Sequence, residues 1–482
     1  MIGYQNILKE IKTTKWWVEE APASFLLFDY IMKAFVHAEK ITGYPTLKKI
    51  IHICKNNIGF EITPYDEKKD NFDKIYQNEL KKPGYFQKLV ALWLVLQKEL
   101  LELNGEVTSE VDNFGKRKLL LLTKKFFNLG FECITYGTFI ECIDPFTESL
   151  PDIFKNKYQI KDKNLQKTIS TLSVQKERSF LTQEKLDFLY LCLGTITAEE
   201  YTKKWYWIKT NYREAIDIDP RDLQDKAKQE LRKVGRTGIE KIIEKTLSNE
   251  KKLVKDKASL LKKLKLKRED RILFKLLEQF AKYIDLRKES MLRHTYARDK
   301  FLQKLARKVP YRLIDLHSMR DEEILAIIRG KKINLKKIRN RHKISVMYYT
   351  PKSETELQGK EAEKIYETFI KTLDKEQIKG VVASAPVKKI IGKISVVMDV
   401  NRDEFTPGTI LVTSMTRPEF MPLVRKARAV ITDEGGLTCH AAIISRELKI
   451  PCIIGTKNAT KILRNGNNVE MDLEGGVIKI IK

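Results

Sequence analysis

Thr432-Asp433-Glu434-Gly435-Gly436-Leu437-Thr438-Cys439-His440-Ala441-Ala442-Ile443-Ile444-Ser445-Arg446 is the stretch on which the reading of this chain turns. Just before its glycines, Ala429-Val430-Ile431-Thr432 is a short run rich in β-branched residues and reads as a strand. Gly435 and Gly436 permit a sharp turn and a close approach of backbone to a ligand. From Cys439 to Leu448 the composition turns helical, with Ile443, Ile444 and Leu448 placed on one face. The helix must stop before Pro451, where Cys452-Ile453-Ile454-Gly455 starts another strand. His440 therefore falls in the first turn of a helix, where free backbone N–H groups and the positive end of the dipole favour anions. An imidazole at that place is suited to accept a phosphoryl group.

An ordered series surrounds this turn. Ile410 to Glu419 reads as a strand and loop ahead of it. Arg446 to Thr456, Ala459-Thr460, Asn465-Gly466 and a closing hairpin from Val469 to Gly476 follow. The series resembles the phosphohistidine, or mobile, domain of the phosphoenolpyruvate (PEP)-utilising enzymes, a family that includes PEP synthase, pyruvate phosphate dikinase and rifampicin phosphotransferase. The resemblance runs continuously over residues 380–482. It implies an α/β swivelling domain in which His440 is the nucleophile that carries the phosphoryl group. Gly435, Gly436, Thr438, Arg417 and Arg446 are the phosphate-binding candidates. Thr438 either bonds the phosphate or caps the helix, and the family makes the same position a candidate for regulatory phosphorylation. Arg446 lies six residues after His440, about one and two-thirds turns along, so it is either a ligand or a solvated charge. No metal site is expected in this chain.

With 482 residues the chain has room for several domains with sizeable cores, and its apolar content is an ordinary 42%. The run Leu89 to Leu96 is too short to span a bilayer, and the start of the sequence lacks a basic, then apolar, leader pattern. The six cysteines are scattered without a C-x-x-C pair, which suits free thiols in a reducing cytosol and a cytoplasmic location. The unusual bulk property is a formal charge of +27. Its densest run, Lys251 to Arg268, interleaves with leucines and reads as a solvated helix face, so a nucleic-acid partner is not favoured. No P-loop and no G-x-G-x-x-G after a strand occurs.

Residues 1–350 read as mostly α-helical. Leucines recur at three and four from Tyr85 to Leu103, and the pattern repeats over Arg117 to Leu129, Leu186 to Leu193, Ala227 to Leu247 and Ile272 to Leu305. Pro83-Gly84, Asn104-Gly105 and Asp217 to Pro220 supply breaks. Trp205, Tyr206 and Trp207, with the later helices around Arg287, Arg293 and Arg298, resemble the middle region of rifampicin phosphotransferase relatives. That resemblance implies an acceptor-binding part, with the aromatics either lining a pocket or packing in a core. The expected chain is multidomain: helical over 1–350, a swivel linker with a helix at 359–372 over 351–379, then the α/β phosphohistidine domain over 380–482. No stretch resembles the family's ATP-grasp nucleotide site or its PEP/pyruvate barrel. The expectation is a phosphoryl-carrying subunit that receives phosphate from PEP, or from ATP and Mg²⁺ held by an ATP-grasp partner, and passes it to a small-molecule acceptor. The alternative is a non-catalytic basic binding or regulatory protein that retains the histidine module. No membrane association is expected.

Overall fold

A computed structural model describes residues 3–43, 46–110, 115–143, 150, 154, 155, 157, 158, 168, 171–173, 177–373, 378–400, 403–416, 420–435 and 440–481. The chain opens with helix α1 (Tyr4–Thr13), strand β1 (Trp16–Pro22) and helix α2 (Phe25–Thr42). Ile50–Lys55 (β2) and Ile58–Pro64 (β3) then pair through Asn56 and Asn57. Both turn residues take left-handed φ, 51° and 65°, as a two-residue hairpin turn requires. Ile344–Thr350 (β4) and Ser353–Gln358 (β5) join from far along the chain, giving an antiparallel sheet in the order β1-β3-β2-β4-β5. Its two faces alternate along each strand. Ile51, Ile53, Phe60 and Val346 pack with Ile7 and Ile11 of α1, whereas Ile50, Cys54, Met347 and Tyr349 pack with Phe25, Phe28 and Met32 of α2.

The N-terminal region is rich in helices, as expected, and this sheet at its heart is an addition to the reading. The helices are α3 (Tyr65–Lys81), α4 (Tyr85–Glu110), α5 (Lys116–Gly137), α6 (Phe180–Cys192), α7 (Ala198–Trp205), α8 (Pro220–Val234), α9 (Arg236–Leu264) and α10 (Arg268–Ala306). Three short helices, α11 (Leu313–His317), α12 (Asp321–Ile328) and α13 (Leu335–Lys343), lead back to the sheet. Two boundaries differ from expectation. Asn104-Gly105 does not break α4, because buried Leu100, Leu103 and Val107 carry the packed stripe across it. The pattern over 227–247 is split at Gly235, whose φ of 74° ends α8. The lysine run on α9 is largely exposed, with Lys257 as the buried exception, paired to Glu278 at 2.8 Å.

The stretch expected as a linker contributes to this same unit. β5 pairs with β4 along its length, and its polar residues are half-exposed because it is an edge strand. The helix expected over 359–372 is α14 (Lys360–Leu373), whose Ala362, Ile365 and Phe369 pack on the α1 face of the sheet.

The C-terminal unit is an eight-stranded sheet containing β6 (Ile378–Lys379), β7 (Val381–Ser384), β8 (Lys389–Val396), β9 (Ile410–Thr413), β10 (Ala429–Thr432), β11 (Cys452–Ile454), β12 (Asn468–Asp472) and β13 (Val477–Ile481). Strands β8, β9, β10 and β11 run parallel, neighbour to neighbour. Helices α15 (Met421–Val424) and α16 (His440–Leu448) make the crossovers, and α17 (Ala459–Ile462) follows β11. Ile410, Val412, Ala429, Ile431 and Ile453 fill one face, while Leu411, Val430, Cys452 and Ile454 meet α16 on the other. An α/β unit at this end is what the sequence led us to expect. Among the described residues no helix is long and apolar enough to cross a membrane.

Candidate active site

The glycine turn sits at the carboxyl ends of the parallel strands, where open α/β sheets place their ligands. Asp433 pins it. Its carboxylate accepts hydrogen bonds from Thr456 Oγ1 at 2.9 Å and from the Thr460 backbone N–H at 3.2 Å, and from Thr460 Oγ1. Glu434 N–H donates to Ser414 O at 2.8 Å, and Lys457 N–H donates to Asp433 O at 2.9 Å. Gly435 has a φ of 115°, a conformation that side chains disfavour, and its carbonyl oxygen would stand 3.2 Å from a Cβ placed on Gly455. The backbone enters α16 at His440, as the sequence indicated, and the helix runs for nine residues. Its buried side comprises Ala441, Ala442, Ile444 and Ser445, whereas Leu448, expected inside, is 39% exposed. Leu448 is the last residue of the helix, beyond the reach of the sheet it packs on. Gly436, Thr438 and Arg417 lie outside the described residues, as do the side chains of His440 and Arg446.

The turn does not face open solvent alone, because the edge strand β1 of the first sheet lies against it. Lys457 Nζ stands 5.2 Å from the Trp17 ring centroid and 5.5 Å from that of Tyr65. Glu20, buried on the α14 side of β1, feels Lys461 and Arg464 of the C-terminal unit. Burial pushes its carboxyl up to about 7, with Asp433 adding and the two cations opposing. Arg213 Nη2 reaches Asp399 at 3.6 Å.

On the opposite face of β1, a largely buried mixed-charge cluster lies beside the turn. It holds Glu19, Glu61, Lys68 and Arg287, with Glu141 paired to Arg287, Glu434 near Glu19, and Lys288 near Glu434. Loss of water around half-buried Glu434 raises its carboxyl well above the ordinary range, and Glu19 and Asp433 add to the rise. Among the described residues, no cluster of three or more His, Cys, Asp or Glu is placed to hold a metal ion.

The aromatic segment singled out in the sequence is a core element. Trp205 and Trp207 are 3% and 0% exposed and pack with Phe180 and Leu186 among α6, α7 and α8. The arginines named with them serve as pairs: Arg287 with Glu141, Arg293 with Glu289 at 2.8 Å, and Arg298 with Asp321. The sequence reading missed Glu19 and Glu61. Their spacing carries no motif, but the Asn56-Asn57 turn between two apolar runs could have placed Glu61 on a strand.

Comparison with known proteins adds to this geometry. Residues 405–476 match the family description "PEP-utilising enzyme, mobile domain". The probable phosphoenolpyruvate synthase of Archaeoglobus fulgidus is 40% identical over 137 residues, which is 28% of this chain and 18% of that protein. The phosphoenolpyruvate synthase of Pyrococcus furiosus is 42% identical over 124 residues, 26% of this chain and 14% of that one. The chain thus spans under a fifth of the length of these relatives. Among solved structures, holo aconitase X of Thermococcus kodakaraensis aligns with 22% of this chain and 99% of its own at 18% identity, with a TM-score of 0.19, too low to bear on the fold. Through residues 405–476, the chain carries the mobile domain of the PEP-utilising enzymes.

Proposed function

We propose that this chain is the phosphoryl-carrying part of a phosphotransferase, with His440 as the residue that bears the phosphate. The observation that carries the reading is the Gly-Gly-x-Thr-x-His turn, entering a helix at His440 at the carboxyl ends of parallel strands within a mobile-domain match. His440 attacks the donor phosphorus in line and forms a covalent N–P bond. The attacking nitrogen has to be unprotonated, and a neutral imidazole is accessible near neutral pH. Backbone N–H groups at the start of α16 receive the phosphoryl oxygens, with Thr438, Arg417 and Arg446 as further ligands and Gly435 and Gly436 giving close approach. The donor is ATP on a separate ATP-grasp partner in the cytoplasm, or PEP, and the acceptor is a small molecule bound by the N-terminal unit. Mg²⁺ belongs with the nucleotide on the partner.

The test uses wild type and His440→Ala in source-cell extract with β- and γ-labelled ATP. The expected result is acid-labile, alkali-stable label on the wild type alone. Equal labelling of both proteins rejects His440 as the carrier.

A further inference from the structure

Glu19 of β1 and Glu61 of β3 are a register pair on one face of an antiparallel ladder. Like charges directly opposite each other are destabilising, so the pair needs an explanation. A single cation serves both: Lys68 of α3, 1% exposed, places Nζ 3.1 Å from Glu19 Oε1 and 3.6 Å from Glu61 Oε1. Trp17 Nε1 also donates to Glu19 Oε1 at 2.8 Å. Glu61 is only 8% exposed, and its Oε1 has no hydrogen-bond partner. Arg287 Nε, in the same cluster, has none either. The groups that face the pair are Lys68 from α3, His52 from β2, Glu141 from residues 138–143, Arg287 from α10, and Glu434 from the active turn, which Lys288 of α10 faces in turn.

Their environments drive the two carboxyls apart. Burial is the largest effect on both. At Glu61 it prevails, with Glu19 and Glu141 adding and Lys68 opposing, and pushes the group up to about 8. At Glu19 the charge of Lys68 and hydrogen bonds from Trp17 and Lys68 outweigh it and hold the group below its ordinary range. Near neutral pH the pair keeps one proton, on Glu61, and one charge, on Glu19. Adjacent groups separated in this way are the mark of an acid–base site.

We propose that this charge cluster, where it borders the turn, marks the acceptor site of the transfer, with Glu19 the general base that takes the proton of a neutral hydroxyl-bearing acceptor. The proposal rests on the reading of His440 as the carrier. Glu434 of the turn, six residues ahead of His440, faces Glu19 directly in charge. In the step, the acceptor O–H proton passes to the Glu19 carboxylate while the oxygen lone pair forms an O–P bond. The N–P bond breaks, and its electron pair returns to an imidazole that leaves neutral because its other nitrogen is protonated. A carboxylate of lowered basicity suits this role, because phosphoryl transfer asks for orientation of the hydroxyl more than for strong basicity. The acceptor is uncharged because the incoming phosphoryl group is already dianionic.

The experiment loads His440 chemically with phosphoramidate, so that no partner is needed, and follows the protein by ³¹P NMR. Glycerol is the neutral probe and lactate the anionic one. Wild type is expected to convert phosphohistidine to glycerol phosphate at least tenfold faster than to the lactate ester. Glu19→Gln is expected to load normally but to lose about 100-fold or more of ester formation, and Glu19→Asp to recover part of it. Glu61→Gln is expected to lose the pH dependence of ester formation near 8. The proposal is overturned if Glu19→Gln forms ester at the wild-type rate with the same pH profile. It is also overturned if wild type loads but esterifies neither probe, or prefers lactate. Failure of wild type to load at all, with His440→Ala identical, overturns the carrier reading itself and the proposal with it.

Discussion

Replacing Lys457 by methionine should loosen the seat of the mobile domain without unfolding it. The lysine has a left-handed φ of 67°, and methionine carries the same backbone strain and nearly the same stem. The charge over two rings is lost. At 5.2 Å from Trp17 and 5.5 Å from Tyr65, Nζ lies within the ~6 Å reach of a cation–π contact. Such a contact contributes about 0.5–1 kcal/mol when exposed and about 2 kcal/mol when desolvated. For a half-buried lysine shared between two rings, about 1–2 kcal/mol is the fitting sum. That corresponds to a fall of about 5- to 30-fold in the ratio of docked to undocked molecules. Fluorophores at the exposed positions 252 and 474 report the ratio by single-molecule energy transfer. Lys457→Arg should keep the docked population, because guanidinium also stacks on aromatic faces. A ratio for Lys457→Met within twofold of wild type would refute the reasoning.

Two titrations test the buried polar groups. Glu20 is raised from 4.5 to about 7 with the domain seated, so the seated form binds its proton more tightly. The contribution of Glu20 to stability should therefore be fullest below about 4.5, fall as pH rises to about 7, and stay level above. Glu20→Gln should flatten that fall in thermal unfolding, and parallel profiles for the two proteins would count against it. His52 runs the other way: burial lowers it from 6.5 to about 4, so its contribution is intact above 6.5 and is lost as pH drops toward 4. Both of its ring nitrogens lack partners, and the ring sits between Phe25 and Phe28 with centroids 6.0 and 5.1 Å away. His52→Leu should stabilise the fold by about 1–3 kcal/mol, more at pH 5 than at pH 8. A residual acid slope will remain from His294, which is lowered to about 3. Equal gains at the two pH values would contradict the assignment.

The parts that could be read from the sequence were those built from neighbours in the chain. The parallel strands at 410–413, 429–432 and 452–454 and the helix at His440 are local patterns with local punctuation. Leucine periodicity likewise located α4, α5 and α10. The first sheet was hidden because only its hairpins, β2 with β3 and β4 with β5, are local, whereas the pairings of β1 with β3 and of β2 with β4 that assemble it join distant segments. β5 reads as a polar linker because an edge strand tolerates Glu354, Glu356 and Gln358. The candidate acid–base pair is still less visible. Glu19 and Glu61 become neighbours only through strand register, and Lys68 reaches them from a helix that starts after β3. Asn104-Gly105 failed as a break because tertiary packing on both sides outweighs the roughly 1 kcal/mol penalty of a helical glycine.

The composition of β1 answers two demands with one set of residues. An uncovered edge strand invites pairing with another chain, and inward charges, prolines and covering elements are the usual protection. β1 carries Glu19, Glu20 and Pro22, and the mobile domain lies over it. Contacts across that seam include lysine on aromatic rings, Glu20 with Lys461 and Arg464, and Arg213 with Asp399. Each is an interaction that water can replace at modest cost, unlike the apolar packing of Ile410, Ile431 and Ile453 inside the domain. A seam of this kind protects the edge while the domain is seated. On the proposed function, the carrier has to leave to meet its phosphoryl donor and return to meet its acceptor. An apolar seam would favour one pose and slow that exchange. The charge on β1 is thus compatible with both soluble excursions and a seated state in which Glu434 returns to Glu19.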